Sequence, residues 1–259
     1  MDAEAHLQIS TNRIIAYHTS PANTECATLP GLIFLGGFKS DMSGTKALWL
    51  HDWAKRHGRA FIRFDYRGHG RSSARFQDGC IGDWADDAAQ VLTRLTNGPQ
   101  ILIGSSMGGW IALLLARRFP ERIAGLIGIA AAPDFTEDGI AARLTDAQRA
   151  LMQADGQIAV PSQYDDEPYV LTRHLIEEGR NHLVLRSPLT LTCPVRLLHG
   201  TADPDVEPSV SQRLLDHIDC ADARLTLIKD GDHRLSDPGA LDLLGRTIEE
   251  VTHTVSAAR

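Results

Sequence analysis

The sequence predicts an α/β fold built on a mostly parallel β-sheet with helices on both faces. Short runs rich in apolar and β-branched residues alternate with segments whose apolar residues recur every three or four positions. The runs are apolar at consecutive positions, as expected for parallel strands that are buried on both faces. Predicted strands cover residues 13–18, 31–35, 60–65, 100–104, 123–130, 195–199 and 224–228.

Helical patterns fill the intervals between these strands. The clearest one runs through Ile81, Trp84, Ala85, Ala88, Val91, Leu92 and Leu95. Between Pro133 and about Leu191 the alternation stops, and helical patterns around 141–154 and 169–178 are joined by polar links that contain proline. We therefore expect an α/β core over residues 1–132 and 192–259, with a helical cap over 133–191 inserted after the sixth core strand.

Composition excludes several classes of protein. The chain has 259 residues, of which 43% are hydrophobic, so it can bury a full core. A net charge of −7 and the lack of a Lys/Arg cluster argue against a nucleic-acid partner. No apolar run approaches 18 residues, so the sequence predicts no transmembrane segment.

The N-terminal residues MDAEAH are acidic and lack both an apolar signal core and an Arg-rich transit pattern. We therefore expect a cytoplasmic location, and a mitochondrial one only if a presequence was removed before Met1. The four cysteines are scattered without a C-x-x-C pair, and we interpret them as reduced, small apolar residues rather than metal ligands.

The pentapeptide GSSMG at 104–108 fits the pattern G-x-S-x-G. A predicted strand precedes it and an apolar, helix-like block follows it, which is the context of a nucleophile elbow. The glycines at positions 104 and 108 let the chain double back where a Cβ would collide with its neighbour. Ser106 is therefore the candidate nucleophile, and it requires a base within hydrogen-bond reach.

A candidate acid and a candidate base follow the last two predicted strands. Asp203 comes after the strand at 195–199, and His233 comes after the strand at 224–228. The spacing H-G-x-x-D favours Asp203 as the acid, while the nearby Asp205 remains an alternative. Because ligands bind at the carboxyl ends of the strands in open α/β sheets, we expect these side chains to lie near Ser106.

An oxyanion site requires two donors. The backbone N–H of Met107 directly follows the nucleophile, and the N–H of Phe38 lies in the glycine-rich loop after the strand at 31–35. The loop DYRGHGRS at 65–72 is interpreted as scaffolding, with substrate contact by His69 or Arg71 as the alternative. Three apolar residues of the cap, which otherwise belong to its core, are candidates for an acyl site: Leu144, Leu151 and Met152.

The chain order Ser, Asp, His is that of the α/β-hydrolase fold. Less generic stretches at 103–110, 83–87, 161–164, 187–188, 193–200 and 232–234 resemble the family of α/β-hydrolase-domain-containing protein 10. That resemblance implies an acyl-protein thioesterase or acyl-glucuronide esterase activity and places Ser106, Asp203 and His233 at the triad positions. It implies an ester or thioester substrate, possibly an S-acylated protein.

Such a reaction needs no metal or organic cofactor. Two alternatives use the same triad, namely C–C bond hydrolysis and acyl transfer to an acceptor other than water. A third is a non-catalytic ligand receptor on the same fold, because fold alone does not settle function.

Overall fold

The computed structural model describes residues 4–160 and 168–257. Its centre is an eight-stranded sheet with the order β1-β2-β4-β3-β5-β6-β10-β12. These strands comprise β1 (Ala5–Ser10), β2 (Arg13–Ser20), β3 (Gly31–Leu35), β4 (Phe61–Phe64), β5 (Gln100–Ser105), β6 (Ile123–Ile129), β10 (Val195–Gly200) and β12 (Ala223–Ile228).

The six strands from β4 to β12 are parallel, while β1 and β2 pair antiparallel at one edge. The mostly parallel sheet predicted from the sequence is therefore confirmed. The edge strand β1 was not predicted, because it lies mostly in solvent and only Leu7 among its residues is buried. It has no continuous apolar run by which it could be recognised.

Helices cover both faces of the sheet. On one face, α2 (Ile81–Leu95) and α3 (Met107–Arg118) bury Trp84 and Trp110 in the larger hydrophobic cluster. On the other face, α1 (Thr45–Arg56) and α7 (Pro238–Ala257) bury Trp53 and Ile248 in a second cluster. The helix α6 (Pro208–His217) connects β10 with β12. The predicted helix at 81–95 is confirmed.

Between β6 and β10 the chain leaves the sheet. It forms a π-helical turn (Phe135–Ala141), α4 (Asp146–Asp155), a hairpin of β7 (Gln157–Val160) and β8 (Tyr169–Thr172), and α5 (Arg173–Gly179). A short parallel pair then joins β9 (Leu189–Thr190) to β11 (Ile218–Asp219).

The hairpin corrects the expectation of a purely helical cap. The segment expected to be helical over 169–178 begins as strand β8, because Tyr169–Thr172 pairs with β7 and buries Leu171 opposite Ile158. Tertiary pairing here overrides a weak helical pattern. The motif at 161–164 lies outside the described residues, and the division into core and cap stays a prediction.

Asp134 ties this excursion to the end of β6. Its side chain is fully buried and accepts hydrogen bonds from the backbone N–H groups of Val184 at 2.8 Å and Leu185 at 3.0 Å. Arg186 adds a charged contact at 3.3 Å. The residue itself adopts a left-handed conformation, with φ of 57°. The Asp134 carboxylate therefore links the start of the segment between β6 and β10 to residues 184–186 near its end.

Within the part of the chain that the structure describes, no helix is long and apolar enough to cross a membrane.

We predict that Asp134→Ala lowers the free energy of unfolding by at least about 2 kcal/mol, because two buried N–H groups lose their acceptor. Urea unfolding followed by circular dichroism measures this change. Asp242→Ala is the matched control, since Asp242 forms only an exposed pair with Arg246 and should cost less than about 1 kcal/mol. Equal losses in the two variants would contradict the anchoring role of Asp134.

Candidate active site

Ser106 lies at the sharp turn between β5 and α3. Its φ of 53° and ψ of −117° are unusual for a residue with a side chain, and such a conformation costs roughly 1–3 kcal/mol. The surrounding structure holds it there: the N–H of Ser106 donates to the carbonyl of Ile129 at 2.9 Å. The predicted elbow geometry is therefore present, with the serine raised above the end of the sheet.

Two glycines make this turn possible. A Cβ on Gly104 would collide with the carbonyl of Gly108, and a Cβ on Gly108 would collide with the carbonyl of Leu35 at the end of β3. The elbow therefore packs directly against the loop that follows β3. There, a Cβ built on Gly37 would lie 3.4 Å from the Cβ of Ser106.

The structure brings the predicted acid and base together. His233 Nδ1 lies 2.7 Å from Asp203 Oδ2, so an Nδ1–H donates to the carboxylate and leaves Nε2 available toward the pocket. Ser106 and His233 line one common cavity. The backbone N–H of Asp205 donates to Asp203 Oδ1 at 2.9 Å. Asp205 also lines the cavity, but it is Asp203 that carries the hydrogen bond to His233.

Asp203 is held as a carboxylate by several donors. Burial alone would raise its pKa, but hydrogen bonds from His199, His233 and the N–H of Val206 outweigh burial and bring the pKa well below its ordinary value. His199 is fully buried, with Nε2 3.2 Å from Asp203 Oδ2 and 2.9 Å from the carbonyl of Val206.

His199 was not recognised as a site residue from the sequence. Its other ring nitrogen lies 2.6 Å from Ser211 Oγ, which can donate to it. The acid is therefore placed between two imidazoles. The available signal was the position of His199 at the end of a buried strand, four residues before the predicted acid.

The loop after β3 is positioned by His69. The N–H of Lys39 donates to His69 Nε2 at 3.2 Å, and Nδ1 faces the carbonyl of Arg67. His69 is buried and, like Arg71, is not among the residues that line the cavity. These contacts, together with the ion pairs of Arg67 with Asp83 and Asp87, support the scaffolding interpretation of the loop at 65–72.

One predicted oxyanion donor lies at the elbow and the other lies in the neighbouring loop after β3. Met107 begins α3, and the first N–H groups of a helix have no partner within it. Phe38 lines the cavity next to Gly37 and Ser106, whereas the Met107 side chain is fully buried.

A cavity of about 740 Å³ opens above Ser106. Its apolar wall comes from the excursion between β6 and β10, through Phe135, Ile140, Val160, Tyr169 and Leu171. The three acyl-site candidates do not reach it. Leu151 is 52% exposed, Met152 is buried in the larger core cluster, and Leu144 packs against that cluster. Leu151 and Met152 lie on α4 and Leu144 lies just before it, and the wall is supplied instead by the π-helical turn and the hairpin.

The cavity is also lined by four basic side chains, those of Lys39, Lys46, Arg143 and Arg234. Lys46 donates to the carbonyl of Arg234 and thereby connects α1 to the loop that bears His233. Burial lowers the pKa of Lys46 to about 8, with Asp232 raising it and Arg234 lowering it. Sequence analysis did not identify Lys46, because an isolated lysine on a helix has no distinguishing pattern.

Comparison with known proteins agrees with this geometry. A family model described as the alpha/beta hydrolase fold matches residues 32–170. The chain belongs to the α/β-hydrolase family, and it is a serine hydrolase.

Its relatives include the mouse protein named palmitoyl-protein thioesterase ABHD10, mitochondrial. The two are 39% identical over 88% of this chain and 76% of the mouse protein. A solved structure of mouse ABHD10 matches with a TM-score of 0.89 and 36% identity, covering 98% of this chain and 99% of the other. A structure from Agrobacterium vitis S4 matches with a TM-score of 0.90 and 40% identity, covering 97% and 98%. The resemblance inferred from the motifs is confirmed, while the cytoplasmic location of this chain stays a prediction.

We predict that Asp203→Asn lowers kcat about 10⁴-fold, because an amide at this position favours the wrong tautomer of His233. Asp205→Asn is the matched control and should cost far less. Hydrolysis of p-nitrophenyl acetate measures both variants, with circular dichroism to verify folding. A larger loss in Asp205→Asn would transfer the role of the acid to Asp205.

We also predict a pH-dependent contribution of His69 to stability. Burial lowers its pKa from 6.5 to about 4, although the carbonyl of Arg67 and the charges of Asp87 and Asp41 act in the opposite direction. Between these values the unfolded chain binds a proton that the folded chain excludes, so stability falls as pH falls. The loss amounts to about 3 kcal/mol between pH 7 and pH 4.

His69→Gln should remove this contribution while keeping an acceptor for the N–H of Lys39. The measurement is the difference between wild-type and variant free energies of unfolding across that pH range. His253→Gln, at an exposed position, is the control. Parallel pH profiles for wild type and His69→Gln would show that His69 does not carry the effect.

Proposed function

We propose that this chain hydrolyses acyl thioesters or esters through Ser106, His233 and Asp203, with a covalent acyl-enzyme intermediate. The observation that carries the proposal is the hydrogen bond between His233 and Asp203 at the cavity that Ser106 also lines. A serine at an elbow requires a base, and the hydrogen bond from Nδ1 to Asp203 leaves Nε2 of His233 available for that role.

In the first half-reaction, Ser106 Oγ forms a bond to the acyl carbon while its proton moves to His233 Nε2. The carbonyl electron pair moves onto oxygen, and the N–H groups of Phe38 and Met107 donate to that oxyanion. Each such donor typically contributes about 10²–10³ in rate. When the tetrahedral intermediate collapses, the bond to the thiolate or alkoxide breaks and His233 returns the proton to it.

In the second half-reaction, water takes the place of the leaving group. His233 removes a proton from the water, whose oxygen attacks the acyl carbon, and the proton then passes to Ser106 Oγ as the acid is released. Asp203 remains ionised throughout and stabilises the imidazolium that forms twice in the cycle. Its depressed pKa, maintained by His199 and the backbone, is consistent with this role.

The cavity supports an acyl substrate with a polar leaving group. Its volume lies within the range of about 300–1,000 Å³ that is usual for small-molecule sites. The wall formed by Phe135, Ile140 and Leu171 suits a hydrocarbon chain, and the lysines and arginines that also line the cavity suit a polar or anionic leaving group.

The names of the ABHD10 relatives favour an S-acylated protein as the substrate and a thioester as the bond that is cut. The location in mitochondria that those names print belongs to the relatives. Hydrolysis of C–C bonds and acyl transfer to another acceptor are alternatives on the same triad.

We predict that Ser106→Ala lowers hydrolysis of palmitoyl-CoA, an S-palmitoyl peptide and p-nitrophenyl esters by about 10⁴-fold or more. A fluorophosphonate probe should label wild type and leave the variant unlabelled. Ser105→Ala, beside the elbow, is the matched control and should still be labelled. Full activity in Ser106→Ala would refute the mechanism. Faster turnover of a diketone or transfer to an added alcohol than hydrolysis of the thioesters would instead favour one of the alternatives.

A further inference from the structure

The helix α5, from the excursion between β6 and β10, packs tightly against the N-terminal end of α2. A Cβ on Gly82 would meet the ends of the Glu178 and His182 side chains, so the two elements approach each other closely at this glycine. Glu178 accepts a hydrogen bond from the N–H of Gly82 at 3.0 Å and is paired with His182. This contact between α5 and α2, called the seam below, therefore connects the segment that forms the cavity wall to the helices that cover the sheet.

Three metal-ligating side chains meet along the seam. Cys80 precedes α2, Asp83 lies in its first turn and His174 lies in α5. Their ligand atoms all lie within 4.8 Å of one another. Among the described residues, His174 has neither a hydrogen bond nor an ion pair. Its imidazole is exposed, so water can satisfy its ring nitrogens.

We infer that Cys80, Asp83 and His174 form a binding site for Zn²⁺ that fastens α5 to α2. One sulfur, one nitrogen and one carboxylate oxygen make up a ligand set that zinc accepts, and the exposed side of His174 leaves the fourth position to water. This site is separate from the catalytic centre and is not needed for the reaction.

The geometry requires only a small rearrangement. Tetrahedral zinc with ordinary bond lengths places neighbouring ligand atoms about 3.5 Å apart. All three ligand atoms already lie within 4.8 Å of one another. Rotation of the exposed His174 side chain can shorten its distances to Cys80 and Asp83, while a small adjustment of Asp83 brings its carboxylate closer to the sulfur.

The charges also balance. In the metal-free protein, burial and a hydrogen bond to the Glu178 carboxylate raise the pKa of the Cys80 thiol. On binding, the thiol gives up that bond and releases its proton to solvent, and a sulfur–zinc bond forms as coordinated water leaves the aqua ion. Glu178 keeps its contacts with Gly82 and His182. The Cys80 thiolate and the Asp83 carboxylate together neutralise Zn²⁺. Arg67 already pairs with Asp83, and Asp87 also binds Arg67, so the guanidinium remains compensated after Asp83 takes a metal.

A second group, formed by Asp203, Asp205 and His233, has a similar separation of ligand atoms. It lacks sulfur and coincides with the candidate catalytic centre. A thiolate signal therefore distinguishes the two sites, because only the seam can produce one.

The test uses the reduced full-length chain after removal of metal with EDTA, titrated with Co²⁺ and then with Zn²⁺. We expect a thiolate-to-cobalt charge-transfer band and visible bands of four-coordinate cobalt at one equivalent, both abolished by Zn²⁺. Loss of a second-shell group typically weakens a metal site by about 10–100-fold, so Cys80→Ala and His174→Ala, which remove ligands, should weaken binding at least that much.

If Cys80→Ala does not fold, His174→Ala alone tests the site. Position 174 is exposed, so this substitution should leave the fold intact. Cys26→Ala and His253→Ala are the matched controls and should retain the bands, and His233→Ala should retain them too. Zinc should also raise the melting temperature of wild type but not of His174→Ala. A wild-type titration without the charge-transfer band, or a band that survives His174→Ala or disappears in His233→Ala, would overturn the inference.

Discussion

The close approach of the elbow to the end of β3 is the constraint on which the rest of the site depends. Because Gly108 has no side chain, α3 can start directly against the carbonyl of Leu35. This contact places Ser106 beside the loop that carries Phe38, so the proposed nucleophile and the proposed oxyanion donors lie together at the end of the sheet. The strained backbone of Ser106 is held by the strands on either side, which explains why the site rests on the sheet rather than on a mobile loop.

Phe38 links this catalytic edge to the segment above it. Its ring makes edge contacts with Phe76 and Trp84 on the core side and with Phe135 and Tyr169 on the cavity side, at centroid distances between 4.8 and 6.1 Å. The same residue is thus a proposed oxyanion donor through its backbone and a packing centre through its side chain. Movement of the hairpin and a change in the oxyanion loop are therefore expected to be coupled.

The sequence was informative where chemistry imposes a local pattern. The elbow, the apolar parallel strands and the helix at 81–95 all have short-range signatures, and they were identified. The cap hairpin was missed because its pairing joins Gln157–Val160 to Tyr169–Thr172 across an intervening segment. Lys46 and the wall residue Phe135 were missed for a related reason, because each gains its role from neighbours that are distant in the chain. The partners of His199 are close in the chain, but periodicity carries no information about a side-chain hydrogen bond to Asp203.

The arrangement around Asp203 has a consequence for how the enzyme would respond to acid. A carboxylate that accepts from two imidazoles and two backbone amides has its acceptor positions filled, so a proton can reach it only by displacing a donor. Asp203 would therefore stay ionised, and its negative charge would remain a constant part of the site. The orientation of the His233 ring, which this carboxylate fixes, would then persist to conditions that protonate ordinary aspartates.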